Sequence, residues 1–302
     1  MKHLFLTLSF VLFSMQLFAQ GCSDAGFCSV GAMQHRDTIR HELSVGGTYE
    51  KADFGIAVTN PFIQYNANLN RYWSASARVN FRYAHDGTRC VSGLGDVFAS
   101  INYRLELKDD NQELHFTLGG KAPLSKPDQT RLAFQSLGLA TPMDFQTTLG
   151  TYDIILGVTY KYKKLSTSIA FQQPLTSTED WYYQDYKRKG DLLVKPSYWF
   201  TPFKNFTVTP SIMAIYRLGE DEFTSFRNAD GTFNLITDQN LQKFNIADTG
   251  GLTLNAMSEF KYVFAEDYHV TLMAAVPLVN RKVIVDGLRR SYVFALSVGF
   301  NL

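Results

Sequence analysis

The stretch Asp96–Leu107, DVFASINYRLEL, decides the fold. Val97, Ala99, Ile101, Tyr103, Leu105 and Leu107 fall on one side of an extended chain, and Asp96, Phe98, Ser100, Asn102, Arg104 and Glu106 on the other. Successive side chains of a strand point to opposite faces, so a period of two over this length marks a strand between two different media. The segment from Tyr72 repeats the pattern, with Trp73, Ala75, Ala77, Val79, Phe81 and Tyr83 opposite Ser74, Ser76, Arg78, Asn80 and Arg82. The closing segment places Tyr292, Phe294, Leu296, Val298, Phe300 and Leu302 together.

Extending this reading outward predicts strands over 40–51, 61–69, 72–84, 95–107, 112–121, 152–163, 165–173, 190–200, 205–217, 250–263, 267–277 and 290–302. At ~3.3 Å per residue and a tilt of ~40°, about ten residues cross an apolar band of roughly 25 Å. The connections alternate. Short polar turns fall at 70–71, 108–111, 163–164, 201–204 and 266, and longer ones at 52–60, 85–94, 122–151, 174–189, 218–249 and 278–289. A closed meander with an even strand number places all its long loops at one end and both termini at the other.

Barrel size separates lipid from core as the partner of the apolar face. Side chains fill the interior of a barrel of about eight strands, but about twelve leave a wide lumen. Aromatic residues recur near the ends of the apolar faces, at Tyr49, Trp73, Tyr83, Tyr103, Tyr162, Tyr198, Tyr216, Tyr262, Tyr268 and Tyr292, as rings resting at a lipid–water boundary do. The opposite faces carry charges that a dry core would leave unpaired. The predicted fold class is therefore all-β: a transmembrane, antiparallel, up-and-down β-barrel of about twelve strands. Its span is residues 40–302, its place the cell outer membrane and its partner the lipid bilayer.

The N-terminus fits that address. Lys2 and His3 precede an apolar run from Leu4 to Phe18, with small residues at Ala19 and Gly21, which predicts a signal peptide over 1–20 and an N-terminal periplasmic segment over 21–39. Cys22 invites comparison with a lipoprotein, but the Ala19-Gln20-Gly21 approach lacks the usual leucine. Cys22 and Cys28 are spaced to close a small disulfide loop, or with Met33 and His35 to hold a soft metal; Cys90 is the odd thiol. No later stretch is a spanning helix, and the net charge of +1 gives no ground for a nucleic-acid partner.

By parity, Arg78, Arg82, Asp96, Arg104, Glu106, Glu113, His115, Lys161, Lys195 and Glu259 face the lumen. Two readings follow: a polar conduit whose charges guide a small-molecule solute, or cross-strand ion pairs that brace a closed post. His115 and His269 face inward without a recognisable nucleophile motif, and no phosphate loop or zinc spacing follows residue 40. Neither a catalytic residue, a metal site in the barrel nor a cofactor is expected, and the chain is read as not an enzyme. Trp181, Tyr182, Tyr183 and Tyr186 mark a loop suited to ligand or partner contact, and Pro196 and Pro210 interrupt predicted strands.

Gly93-Leu94-Gly95-Asp96 leading into Val97–Leu105, and Leu149-Gly150-Thr151-Tyr152-Asp153 opening a strand after the loop Lys121–Ser125, resemble outer-membrane transporters of the meta-pathway phenol-degradation type. Those are distantly similar to the long-chain fatty-acid transporter family. The Gln20-Gly21-Cys22 start and the Phe300-Asn301-Leu302 end are similar to exported barrels of Gram-negative Bacteroidetes. The resemblance implies passive, porin-like movement of small hydrophobic or aromatic compounds. In fatty-acid-type relatives it also implies an N-terminal plug, for which the segment 22–38 is short, and a kinked wall, for which Pro196 or Pro210 would serve. The alternatives are a structural or partner-binding barrel with a closed lumen and an outer-membrane hydrolase.

Overall fold

A computed structural model describes residues 41–52, 55–87, 90–107, 111–126, 146–178, 184–225, 242–265, 267–286 and 289–302. The predicted signal peptide and periplasmic segment, with Cys22 and Cys28, lie outside the described residues, as do Trp181, Tyr182 and Tyr183. The elements are β1 (His41–Ala52), β2 (Ala57–Asn68), β3 (Trp73–His85), β4 (Cys90–Glu106), β5 (Gln112–Pro123), β6 (Asp153–Tyr162), β7 (Leu165–Pro174), β8 (Gln184–Lys187), β9 (Asp191–Tyr198), β10 (Phe200–Phe203), β11 (Phe206–Arg217), β12 (Glu222–Ser225), β13 (Gln242–Asn245), β14 (Gly251–Ala265), β15 (Tyr268–Val279) and β16 (Arg290–Asn301).

Neighbouring wall strands pair antiparallel in chain order, β16 returns to β1, and β11 closes on β9. Strand β10 continues β9 past Trp199, so the wall is a closed ring of twelve segments. Short turns join β2 to β3, β6 to β7 and β10 to β11. Lys163 and Asn205 adopt φ of 53° and 64° there, the left-handed backbone that tight hairpins require. Both chain ends of the wall, His41 and Leu302, lie with these turns, the end that faces the periplasm in such barrels.

Burial is inverted relative to a soluble protein. Val45, Ile63, Leu118, Leu156, Ile169 and Leu296 stand exposed on the outside, while Ser44, Thr48, Asn60, Ser76, Thr159 and Ser168 are buried within. Aromatic rims flank the apolar band: Trp73 and Tyr103 pack with ring centres 4.9 Å apart at the periplasmic end, and Tyr49 and Tyr292 at 6.4 Å at the other. An outside this apolar, on a ring with no free edge, is stable in lipid and not in water. The protein is an outer-membrane β-barrel.

The structure departs from the sequence reading in three places. Strands β2 and β4 begin at Ala57 and Cys90, earlier than periodicity places them, because Pro61, Gly93 and Gly95 break the apolar alternation without ending the ladder. The long connections also carry a small sheet in the order β13-β12-β8, whose four-residue strands are too short to show a period. Finally, the two prolines meet at one seam. No ladder pair forms between Ala214↔Val194 and Ser211↔Ser197, where Pro196 lies, or between Ser211↔Ser197 and Val208↔Phe200, where Pro210 lies, and each proline lacks a backbone donor. Toward β7 and β14 the registers of both prolines run unbroken.

Candidate functional site: a stratified lumen

Each wall strand sends every second side chain inward, and position along the strands sorts these residues into three layers. In the periplasmic layer, the β4–β5 register sets Arg104 opposite His115 and Glu106 opposite Glu113, and the β5–β6 register sets Glu113 opposite Lys161. Facing carboxylates repel, and cations separate them. Arg104 Nη2 donates to Glu113 Oε1 at 2.6 Å and lies 3.4 Å from Glu106, which also pairs with Arg71 of the turn. His115 Nε2 lies 2.9 Å from Glu113 Oε2. Five of the ten residues singled out by parity thus form one cluster. Lys195 and Glu259, on β9 and β14 either side of β11, interact electrostatically.

The middle layer is apolar. Phe98, Ile155, Ala170, Leu193, Met213, Met257, Ala275 and Val293 are all buried and form one cluster, with Ile215 and Met273 packed against it. These residues come from eight of the twelve wall segments, from β4 and from the run β6 to β16. Phe62 on β2 is buried apart from that cluster, with the Arg78 guanidinium 3.6 Å from the centre of its ring. Stacked on that ring, Arg78 donates through Nε to Asn80 Oδ1 at 2.8 Å. Arg82 follows Arg78 on the same face of β3, half-buried.

The extracellular layer is a buried ionic network. Asp153 at the head of β6 accepts from Arg188 at 2.5 Å and lies 3.3 Å from Lys121. Asp96 accepts a hydrogen bond from Thr148. Arg217, at the top of β11, grips Asp191 through two nitrogens at 2.9 and 3.1 Å, Asp221 at 2.9 Å and Asp286 at 2.7 Å. Arg188 and Arg281 also reach Asp286, at 3.5 and 3.4 Å. On the other side of the mouth, Glu50 and Arg290 pair with both side chains fully buried.

Asp286 and the guanidinium groups of Arg188 and Arg217 hold one another ionised. Burial pushes the Asp286 carboxyl up, but Arg217, Arg281 and Arg188 outweigh it and hold the group well below the usual carboxylate range. Burial would weaken the proton on Arg188, and Asp153, Asp286 and Asp191 reverse that, so its affinity for the proton rises. Asp221 is raised by burial beyond what Arg217 restores. The phenol of Tyr186 is raised by burial and by the neighbouring Asp286 and Asp221 charges. Tyr186, read from the sequence as an exposed loop aromatic, is 1% exposed, its hydroxyl donating to Asp221 Oδ2 at 2.7 Å. It braces the mouth because β8 turns its ring inward.

Parity could have found the belt, since Phe98, Ile155, Leu193 and Met257 share faces with the polar residues chosen as lumen candidates. The loop half of the network, Arg188, Asp221, Arg281 and Asp286, has no periodicity to betray it. Outside the lumen, a groove of about 790 Å³ lies on the wall of β4 to β7, with Ile101, Phe116, Leu118, Leu156 and Ile169 in its lining. These are outward side chains, so the groove faces lipid.

No protein-family model matches the sequence, and no curated protein matches it. Solved structures do. The fold is similar to the crystal structure of an outer-membrane channel from Pseudomonas putida F1, at 11% sequence identity and a TM-score of 0.60, covering 89% of this chain and 98% of that one. It is also similar, at 14% identity and a TM-score of 0.49, to the NanC porin, covering 86% of this chain and 100% of that one. The translocator domain of the autotransporter NalP from Neisseria meningitidis matches at 9% identity and a TM-score of 0.46, over 93% and 96% of the two chains. At these identities the likeness is one of fold.

Proposed function

We propose that this barrel carries small hydrophobic or aromatic molecules passively across the outer membrane, as the resemblance to transporters of the phenol-degradation type implies. The observation that supports this reading is the apolar belt. A water-filled pore for ions or sugars needs polar groups along its whole length, whereas a belt of Phe98, Leu193, Met213 and Met257 excludes water and resists hydrated ions. An apolar solute gains at that layer what an ion would lose. The charged layers on either side keep the two mouths wet and orient the barrel. Arg78, Arg82, Asp96, Arg104, Glu106, Glu113, His115, Lys161, Lys195 and Glu259 then act as lumen-lining residues flanking the belt, with no catalytic role.

The test pairs two measurements. Porin-depleted Gram-negative cells expressing the protein should take up a labelled neutral aromatic compound faster than cells carrying empty vector. The purified barrel in a planar bilayer should show no stable ion-conducting steps. Steady conductance would replace this reading with an open porin.

A specific observation favours a second reading, a closed barrel that binds a partner outside the cell. The β13-β12-β8 sheet flanks a polar cleft of about 320 Å³ whose lining includes Asp185, Lys187, Glu222 and Lys243. Lys189 anchors the sheet to the barrel through Glu222 at 2.5 Å. Uptake no faster than the vector control, together with silent bilayers, would favour this reading.

A further inference from the structure

The ion pairs at the extracellular end join opposite sides of the wall. Asp153 heads β6 and is fixed there by the ladder, with Lys121 opposite on β5 and Pro174 opposite on β7. Asp286 belongs to the connection between β15 and β16. Around the ring, β6 lies five strands from β15 in one direction and six from β16 in the other, so the two carboxylates start from opposed places on the wall. One guanidinium nevertheless reaches both: Arg188 Nη2 is 2.5 Å from Asp153 and Nη1 is 3.5 Å from Asp286. The β15–β16 connection therefore extends across the mouth instead of standing up from its own edge.

Burial agrees. An ion pair hung across a water-filled vestibule would be bathed by it, yet the side chains of Arg188, Asp153 and Asp286 are 2%, 0% and 3% exposed. The same connection is tied down on its near side. Arg281 donates to the Thr249 carbonyl at 2.9 Å, and Arg217 of β11 holds Asp286 at 2.7 Å.

We propose that the segment 280–286 is a lid that closes the extracellular mouth, and that Arg188 is the bolt that fastens its far edge to β6. Without Arg188, each carboxylate keeps a cation on its own side: Lys121 lies 3.3 Å from Asp153, and Arg217 and Arg281 stay with Asp286. Drawing the bolt thus strands no buried carboxylate, which is the costly event in breaking an ionic cluster. Arg217 differs, since its loss would take a partner from Asp191, Asp221 and Asp286 at once. The conformation described is the closed one; when the lid draws back, its charges meet water and wet the mouth. The lid governs access and holds whichever solute passes.

The experiment measures access from outside. With Cys22, Cys28 and Cys90 replaced by serine, Thr253→Cys supplies a single thiol at an inward position of β14, 1% exposed and four residues nearer the mouth than Met257. Intact cells are treated with a membrane-impermeant maleimide, and heat-modifiable migration on gels confirms that each variant is a folded barrel. With Arg188 in place the thiol should label slowly. With Arg188→Gln it should label at least about tenfold faster, the size of one hydrogen bond to a charged group. Arg188→Lys keeps the charge but not the fork that spans two carboxylates, and should fall between them. Should Arg188→Gln fail to fold, Arg188→Lys carries the test by the same criterion. If the thiol labels equally fast in all three proteins, the mouth is open and there is no lid. If it stays slow in the folded variants, Arg188 is not the bolt. Faster labelling in Arg188→Gln, with uptake of the neutral aromatic compound no greater than the vector control, would support the lid and remove the transport reading.

Discussion

Arg217 Nη2 donates to Asp286 Oδ2 at 2.7 Å, joining the top of a wall strand to the β15–β16 loop across 69 residues of chain. Both side chains are about 3% exposed, and Asp286 also faces Arg188 and Arg281. One carboxylate thus meets three guanidinium groups, and removing its charge leaves them against one another. Asp286→Asn should cost about 3–5 kcal/mol, the usual loss when one member of a buried ionic group is removed. The urea midpoint of the refolded barrel measures this, and protease cutting of the β15–β16 loop should rise in parallel. The pH dependence has a definite sign. A carboxyl held below its unfolded value contributes stability that is full above that value and disappears as pH falls through the folded value. The latch should therefore hold through neutral and mildly acidic pH and release only below the ordinary aspartate range of about 3.9.

Wetting the belt should convert a silent barrel into a conducting one. Leu193→Asn and Met213→Gln together keep side chains of similar length but supply hydrogen-bonding groups in the layer that bars water. Stable conductance steps in planar bilayers are expected of the double variant and not of the parent. If the double variant folds and stays silent, the belt is not what blocks ions, and the extracellular ionic layer becomes the barrier.

How legible this was in the sequence follows from which forces leave a period behind. The wall was legible because lipid on one side imposes an alternation on every strand, as Val97 to Leu107 show. The periplasmic cluster was legible in membership but not in pairing: parity places Arg104, Glu113, His115 and Lys161 inside, and only the registers bring them together. The belt carried a signal too: parity puts Phe98 on the face of Asp96 and Arg104, and a choice of polar lumen residues gives its apolarity no weight. The loop half of the extracellular network left none. Asp286, Arg281 and Asp221 sit in loops where tertiary charge pairing, not any local rule, fixes each residue.

Cys90 offers a direct check on orientation. It is an exposed free thiol at the start of β4, on the same end as the long connections. In a chain with Cys22 and Cys28 replaced by serine, a membrane-impermeant maleimide should label Cys90 on intact cells. A cysteine placed at Asn70, in the β2–β3 turn, should react only after the outer membrane is permeabilised. The opposite pattern would invert the barrel and exchange the roles of the two charged layers.

Gly299 and His269 face each other across β15 and β16, and the buried imidazole fills the space where a side chain at 299 would stand. A Cβ there would overlap the ring, so Gly299→Ala must displace it or strain the wall, at about 1–3 kcal/mol by the usual cost of overpacking. His269→Ala alone loses the ring's packing. In the double variant the clash is gone, and the added methyl partly fills the vacated space. The two changes should therefore be less than additive by at least about 1 kcal/mol, within the range found for residues in contact. Urea midpoints of the four proteins complete the cycle, and additive losses would mean that Gly299 is needed for its backbone and not for the space it gives His269.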